Sequence, residues 1–148
     1  MMRTDFSNCL TATEPVRVPF HDIDPAGVVW HGRYFKYFEA ARSKLLDTIE
    51  YSYQQMVDSG FVWPIVETMV RFVHPLTLNQ HYTVTACLRE WELRLVVDYK
   101  IEDAGARLCT KGRTIQVPVG VLDHELRIGS PDILIENVRK RLESLRKP

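Results

Sequence analysis

The segment His21-Asp22-Ile23-Asp24-Pro25-Ala26-Gly27-Val28-Val29-Trp30-His31-Gly32 concentrates two carboxylates, two of the five histidines and the onset of a helical period. A carboxylate beside a helix N-terminus pairs a base or nucleophile with backbone N–H donors that lack intrahelical acceptors, the combination acyl transfer requires. The same residues spell a type I turn, with Asp24 first, Pro25 second and Gly27 fourth, in which Asp24 would accept a hydrogen bond from its own backbone. Spacing alone leaves both open. A metal set of His21, Asp24 and His31 matches neither an HExxH helix nor a cysteine cluster, and no metal is expected. Cys9, Cys87 and Cys109 form no CxxC pair, and Cys87 and Cys109 fall in predicted strands, so free structural thiols in a reducing compartment are expected. Neither GxGxxG nor GxxxxGK occurs.

The elements that must position this segment are legible from period. Residues 1–13 read as a poorly ordered tail, and Val16-Arg17-Val18-Pro19-Phe20 as a short alternating strand. Trp30, Tyr34, Tyr37, Phe38, Ala41 and Leu45 then fall on one stripe of a helix expected over 31–48, with Arg33, Lys36, Arg42 and Lys44 largely off it. After a connection ending near Ser59-Gly60, four β-type runs follow: 61–73; Tyr82, Val84, Ala86 and Leu88; Leu93, Leu95, Val97, Tyr99 and Ile101; and 107–117 beyond an Asp103-Ala104-Gly105 turn. Asp98 and Lys100 are expected on the polar face. Ser130-Pro131-Asp132 predicts an N-cap, a first-turn proline and an acid, opening a terminal helix with Leu134, Val138, Leu142 and Leu145 as its apolar stripe. Strand, long helix, four strands and terminal helix make an α+β layout with the helix on one sheet face.

Composition narrows the class of function. The 148 residues carry 19 Lys+Arg against 19 Asp+Glu and are 45% hydrophobic, proportions of one soluble domain large enough for a core without staples. A nucleic-acid or anionic-membrane partner would show as a basic excess, which is absent. No run approaches the ~20 apolar residues of a membrane span, and Met1–Pro15 shows neither a secretory nor a transit pattern. A cytoplasmic protein with a small-molecule or protein partner is the expectation.

The run Asp24-Pro25-Ala26-Gly27-Val28-Val29-Trp30-His31, followed by Tyr34, Phe38-Glu39, Ala41 and Arg42, closely resembles the signature of hotdog-fold acyl-CoA thioesterases of the 4-hydroxybenzoyl-CoA thioesterase type, including those associated with the Tol-Pal system. Arg71-Phe72-Val73-His74-Pro75-Leu76 is similar to that family's strand-then-proline segment. The resemblance covers roughly residues 14–120. It departs at Asn79-Gln80, where many relatives carry an acidic residue.

The resemblance implies a hotdog fold, a curved antiparallel sheet of about five strands wrapped around one long helix, with residues 14–148 as one domain carrying the added C-terminal helix. It implies hydrolysis of an acyl- or aroyl-CoA to free acid and CoA, with no metal or organic cofactor and CoA only as part of the substrate. Asp24 takes the catalytic position, as nucleophile or as general base, and the His31 backbone N–H polarises the thioester carbonyl. Gly27 lets the chain turn sharply beside substrate, and Val29, Trp30 and Tyr34 are candidates for the acyl pocket, core packing being the alternative for the aromatics. His21 and Asp22 could support the site, and Glu39 and Arg42 match family positions but are spaced as an intrahelical ion pair. A homodimer or tetramer with sites at the subunit interface is implied. Arg71, Arg89, Arg94, Arg107, Lys111 and Arg113 are candidate partners of the CoA phosphates. Hydrolysis of an acyl-carrier-protein thioester and a non-catalytic acyl-CoA-binding module are the alternatives.

Overall fold

The computed structural model describes residues 4–146. Its elements are β1 (Leu10–Arg17), α1 (Tyr34–Thr48), α2 (Tyr53–Asp58), β2 (Phe61–Val62), β3 (Ile65–Phe72), β4 (His81–Glu90), β5 (Leu95–Asp103), β6 (Leu108–Gln116), β7 (Val119–Gly120) and α3 (Asp132–Arg146), with 3-10 turns at Phe20–Asp22 and His31–Arg33. Five strands form one antiparallel sheet in the order β1-β4-β5-β6-β3, and β2 pairs with β7.

Helix α1 exists because its stripe repeats at helical spacing. Tyr34, Tyr37, Phe38, Ala41 and Leu45 are all buried, and they face the inward residues Tyr82, Val84, Ala86 and Leu88 of β4 and Val97, Tyr99 and Ile101 of β5. Phe38 stacks on Tyr99 with centroids 4.5 Å apart, a contact worth about 0.5–1.5 kcal/mol beyond its area. Gly112 on β6 permits that approach, since a Cβ there would lie 2.6 Å from the Phe38 ring. Helix α2, which the expected connection conceals, is opened by a capping box in which Ser52 and Gln55 satisfy each other's backbone N–H groups.

The two sheet edges differ. Strand β1 carries Pro15 and charged Glu14 and Arg17, which blunt it against further pairing, whereas β3 ends the sheet with no proline and with Ile65, Val66, Met69 and Phe72 exposed.

Several expectations are corrected. The tail is shorter than residues 1–13: β1 already begins at Leu10 and stops at Arg17 rather than running to Phe20, and Phe6 is buried; residues 1–3 lie outside the described ones. Trp30 leaves the helical stripe and is half-exposed, because the chain enters α1 through a 3-10 turn with a different angular period. Leu93 is exposed because β5 begins at Leu95, and Leu145 lies beyond the docked part of α3. Ser130 does not cap α3; its hydroxyl donates to the Trp91 carbonyl and the helix opens at Asp132. Asp98 is fully buried rather than on an open polar face, held by Arg89 Nε at 2.9 Å and Arg113 Nε at 2.6 Å. The N-terminal segment covers that face, with Phe6 against the Arg89 and Lys100 cations. Finally, Cys9 and Cys87 are not free thiols but joined by a disulfide, leaving Cys109 free and buried. Cys9 immediately precedes β1 and Cys87 pairs with Thr11 across the β1–β4 ladder, a juxtaposition invisible in the sequence. The cysteines therefore lend no support to a reducing compartment.

Candidate active site

The hairpin-like loop 22–30 is built by its own backbone. The Asp24 N–H donates to Val28 O (2.8 Å), the Gly27 N–H to Asp24 O (3.0 Å), and the Trp30 N–H to Asp22 O (2.8 Å). Gly27 sits at φ 84°, a left-handed conformation that explains glycine there. Asp24 Oδ1 accepts from the Ala26 N–H at 2.8 Å, so the turn is real and Asp24 does hold it. The two sequence alternatives are compatible rather than exclusive, because this bond occupies one carboxylate oxygen and Oδ2 accepts none from the described residues. The loop is tied to the sheet end by the Val29 N–H, which donates to Leu76 O at 2.9 Å.

Asp24, Val28, Val29, His31 and Tyr34 line a cavity of about 240 Å³ with Phe72, Val73, His74 and Pro75. His31 opens the 3-10 turn that runs into α1, so the N–H groups of His31 and Gly32 precede the first intrahelical acceptor, whereas those of Arg33 and Tyr34 are already taken by Trp30 O and His31 O. The positive end of the helix dipole adds to these donors. Tyr34 meets Phe72 edge-on at 4.8 Å, forming the apolar wall, and burial pushes the Tyr34 hydroxyl above its ordinary pKa. A carboxylate, free N–H groups and an apolar wall can position a planar carbonyl, supply or activate a nucleophile and stabilise an oxyanion.

Of the sequence candidates, the structure brings Asp24, Val29, His31 and Tyr34 into this cavity. Gly27 shapes the turn without lining it, and Trp30 stands outside it, its ring 5.0 Å from that of His31 and over Gly32. Phe72, Val73 and His74 complete the wall; the segment 71–76 is recognisable in the sequence, but only the β3–β6 pairing and the Val73 and His74 N–H bonds to Cys109 O carry it to Asp24.

Asp22 supports the loop from below. Its buried carboxylate accepts from Lys36 Nζ (2.8 and 2.6 Å) and from the Tyr37 hydroxyl (2.5 Å), while Arg33 and His21 stand 3.7 Å away. Burial pushes the Asp22 pKa up, but the hydrogen bonds from Lys36 and Tyr37 and the nearby positive charges outweigh it and hold it below the ordinary carboxylate value. Burial and the bond to Asp22 push Tyr37 in the opposite direction. Glu39 and Arg42 form the expected i, i+3 ion pair at 3.5 Å. Among the described residues no group of three or more His, Cys, Asp or Glu is placed to hold a metal ion, and no helix is long and apolar enough to cross a membrane.

Helix and sheet together define a hotdog fold, a curved antiparallel sheet around one long helix, and comparison with known proteins gives the family. The chain belongs to the thioesterase-like superfamily, whose family model matches residues 18–129. It is 27% identical over 117 residues to a putative esterase of Aquifex aeolicus, covering 72% of this chain and 91% of that one. It is 32% identical over 84 residues to 4-hydroxybenzoyl-CoA thioesterase of Pseudomonas sp., covering 55% and 60%. Among solved structures, a 4-hydroxybenzoyl-CoA thioesterase complexed with 4-hydroxybenzoyl-CoA superposes with a TM-score of 0.72 at 26% identity, over 87% of this chain and 99% of that one.

Proposed function

We propose that this protein hydrolyses an acyl- or aroyl-CoA thioester to free acid and CoA. The observation that supports this most directly is that Asp24 and His31, the residue that opens the helical entry to α1, line one cavity. The thioester carbonyl accepts from the His31 N–H, and the dipole of α1 stabilises the oxyanion as the carbonyl carbon becomes tetrahedral. Asp24 acts through Oδ2 by one of two routes. It attacks that carbon, expelling the CoA thiolate and leaving a mixed anhydride that water cleaves, or it takes a proton from water, which attacks directly. Both routes deliver carboxylic acid and CoA thiol and need no metal or organic cofactor. His31 contributes through its backbone in this scheme, Tyr34 and Val29 wall the acyl side, and Gly27 sets the turn.

The functional unit is a homodimer formed along β3. That edge is unpaired within the protomer, apolar and exposed, and it ends at the cavity; a second copy that extends the sheet there covers it and adds walls to a cavity of about 240 Å³, small against the ~300–1,000 Å³ of ligand pockets.

The cations available to the CoA phosphates are reduced by pairing. Arg89 and Arg113 are held by Asp98, Arg94 by Glu90 and Arg107 by Asp103. Arg71 and Lys111 have no carboxylate within salt-bridge reach among the described residues and stand directly opposite each other across β3 and β6, one residue before Phe72 of the cavity. Two like charges in register repel, and a bound polyphosphate relieves that repulsion.

Thiol release from aliphatic, branched and aromatic acyl-CoAs tests the proposal. Asp24→Asn is expected to lower kcat by ~10²–10⁴-fold, and His31→Ala by much less, since the backbone N–H remains. Wild-type protein that is folded yet releases no thiol from any of them, or an Asp24→Asn protein with full activity, overturns it. A monomer at assay concentration by light scattering overturns the shared edge.

A further inference from the structure

Residues 4–9 precede β1 and belong to no strand, yet they are fastened to the face of the sheet turned away from α1. The buried Phe6 ring lies 5.1 Å from the Arg89 guanidinium carbon and 4.9 Å from Lys100 Nζ. Arg89 Nη2 donates to Asp5 O at 2.8 Å, and the Cys9–Cys87 bridge ties the end of the segment to β4.

The covered face carries a row of like charges. Lys100, Lys111 and Arg71 stand directly opposite one another in register across β5, β6 and β3. Tyr99 and Gly112 meet the Phe38 ring, so the next position back or forward along each strand, Lys111 and Lys100, points to the opposite face. Lys100 therefore extends the Arg71–Lys111 pair to three cations, but it alone of the three is engaged, by Phe6 on one side and by Glu102 at 3.7 Å.

The bridge that holds the cover is open to exchange from one side. Cys87 is fully buried, whereas Cys9 is partly exposed, so an external thiol reaches Cys9 Sγ and expels the Cys87 thiolate. Cys87 is the register partner of Asp98, whose single carboxylate is held by two guanidinium groups, those of Arg89 and Arg113; Arg89 Nη1 also stands 3.7 Å from Cys9 Sγ. This excess of positive charge favours the thiolates that form on reduction.

We propose that the Cys9–Cys87 bridge is a redox latch: oxidised, it holds Phe6 over Lys100; reduced, it releases residues 4–9, and Lys100 joins Lys111 and Arg71 in binding the coenzyme polyphosphate. A dithiol supplies the two electrons. Its first thiol attacks Cys9 Sγ, the S–S bond breaks and Cys87 leaves; its second thiol then attacks the mixed disulfide and expels Cys9, and the two protons of the dithiol end on the two cysteines. The inference rests on the thioesterase reading and on Arg71 and Lys111 as phosphate partners.

Rates on one acyl-CoA, followed by loss of the thioester absorbance because added dithiol masks thiol detection, are compared with and without dithiothreitol. Reduction is expected to lower KM about two- to five-fold at unchanged kcat, the size of one added surface ion pair, and the difference to disappear in high salt. Phe6→Ala, and independently Cys9→Ser, should show the lower KM without reductant, and Lys100→Gln should keep one KM in both states. Inorganic pyrophosphate binding by calorimetry repeats the comparison without catalysis. Equal pyrophosphate affinity in the two states, a redox effect carried by kcat instead of KM, or a KM fall retained by Lys100→Gln overturns the latch. Tighter pyrophosphate binding by the reduced protein with no hydrolysis of any acyl-CoA overturns the thioesterase reading and leaves the latch standing.

Discussion

Replacing Asp22 by Asn tests whether the loop carrying Asp24 is held by charge or only by shape. The buried carboxylate accepts three side-chain hydrogen bonds, two of them from the Lys36 ammonium and one from the Tyr37 hydroxyl. Asn preserves the volume and one acceptor, but Lys36 contacts both carboxylate oxygens, so in either orientation the NH2 faces an ammonium that can only donate. Breaking a fully buried ion pair costs about 3–5 kcal/mol, whereas Lys36 is half-exposed and can turn to water, so the loss reduces to roughly that of charge-assisted hydrogen bonds, about 1.5–3 kcal/mol. For a chain of 148 residues this lowers Tm by about 3–10 °C. The pH dependence supplies the sharper check. The Asp22 pKa is depressed in the folded state, so its contribution is fully present above the unfolded carboxyl pKa of ~3.9 and is lost as pH falls through the folded value. Urea unfolding of both proteins at neutral pH and in steps below pH 4 should show a gap that narrows on acidification, the wild type losing what the variant already lacks. A gap unchanged between neutral and strongly acidic pH, or no gap at neutral pH, refutes the assignment of charge to this anchor.

Arg71→Ala and Lys111→Ala should each raise KM for an acyl-CoA severalfold with little change in kcat, and a steady-state titration in salt should show wild-type KM rising toward the variants'; unchanged KM removes these residues from coenzyme binding. Thiol titration of denatured, unreduced protein should find one thiol, Cys109, and three after reduction. Because the bridge spans 78 residues of chain, Cys9→Ser should cost about 2–4 kcal/mol by urea unfolding. Gly112→Ala places a Cβ 2.6 Å from the Phe38 ring and 3.2 Å from Met69 O, and should destabilise by about 1–3 kcal/mol; a neutral effect by thermal melting would mean that α1 can shift off β6.

The sequence by itself determined the elements whose causes are local. The 3.6-residue stripe from Tyr34 to Leu45 specifies α1, two-residue alternation specifies β4, β5 and β6, and Asp24-Pro25-Ala26-Gly27 specifies the turn, because each depends on spacing along the chain. It also placed Asp24 and His31 at a helix start, where donors are free for reasons of helix geometry alone. Trp30 and Ser130 were misplaced one turn or less from their real settings, since a 3-10 entry and the competing Trp91 carbonyl act only in the folded chain. What tertiary structure alone decided are meetings between residues far apart in sequence: Cys9 with Cys87, Asp98 between Arg89 and Arg113, Asp22 beneath Lys36 and Tyr37, Phe72 and His74 across from Asp24, and Gln116 behind Trp63. The strand residues among these depend on strand order and register, since a shift of one residue in pairing would turn Cys87, Asp98, Phe72 and Gln116 to the other face of the sheet, whereas Asp22 depends on how the loop before α1 packs against that helix.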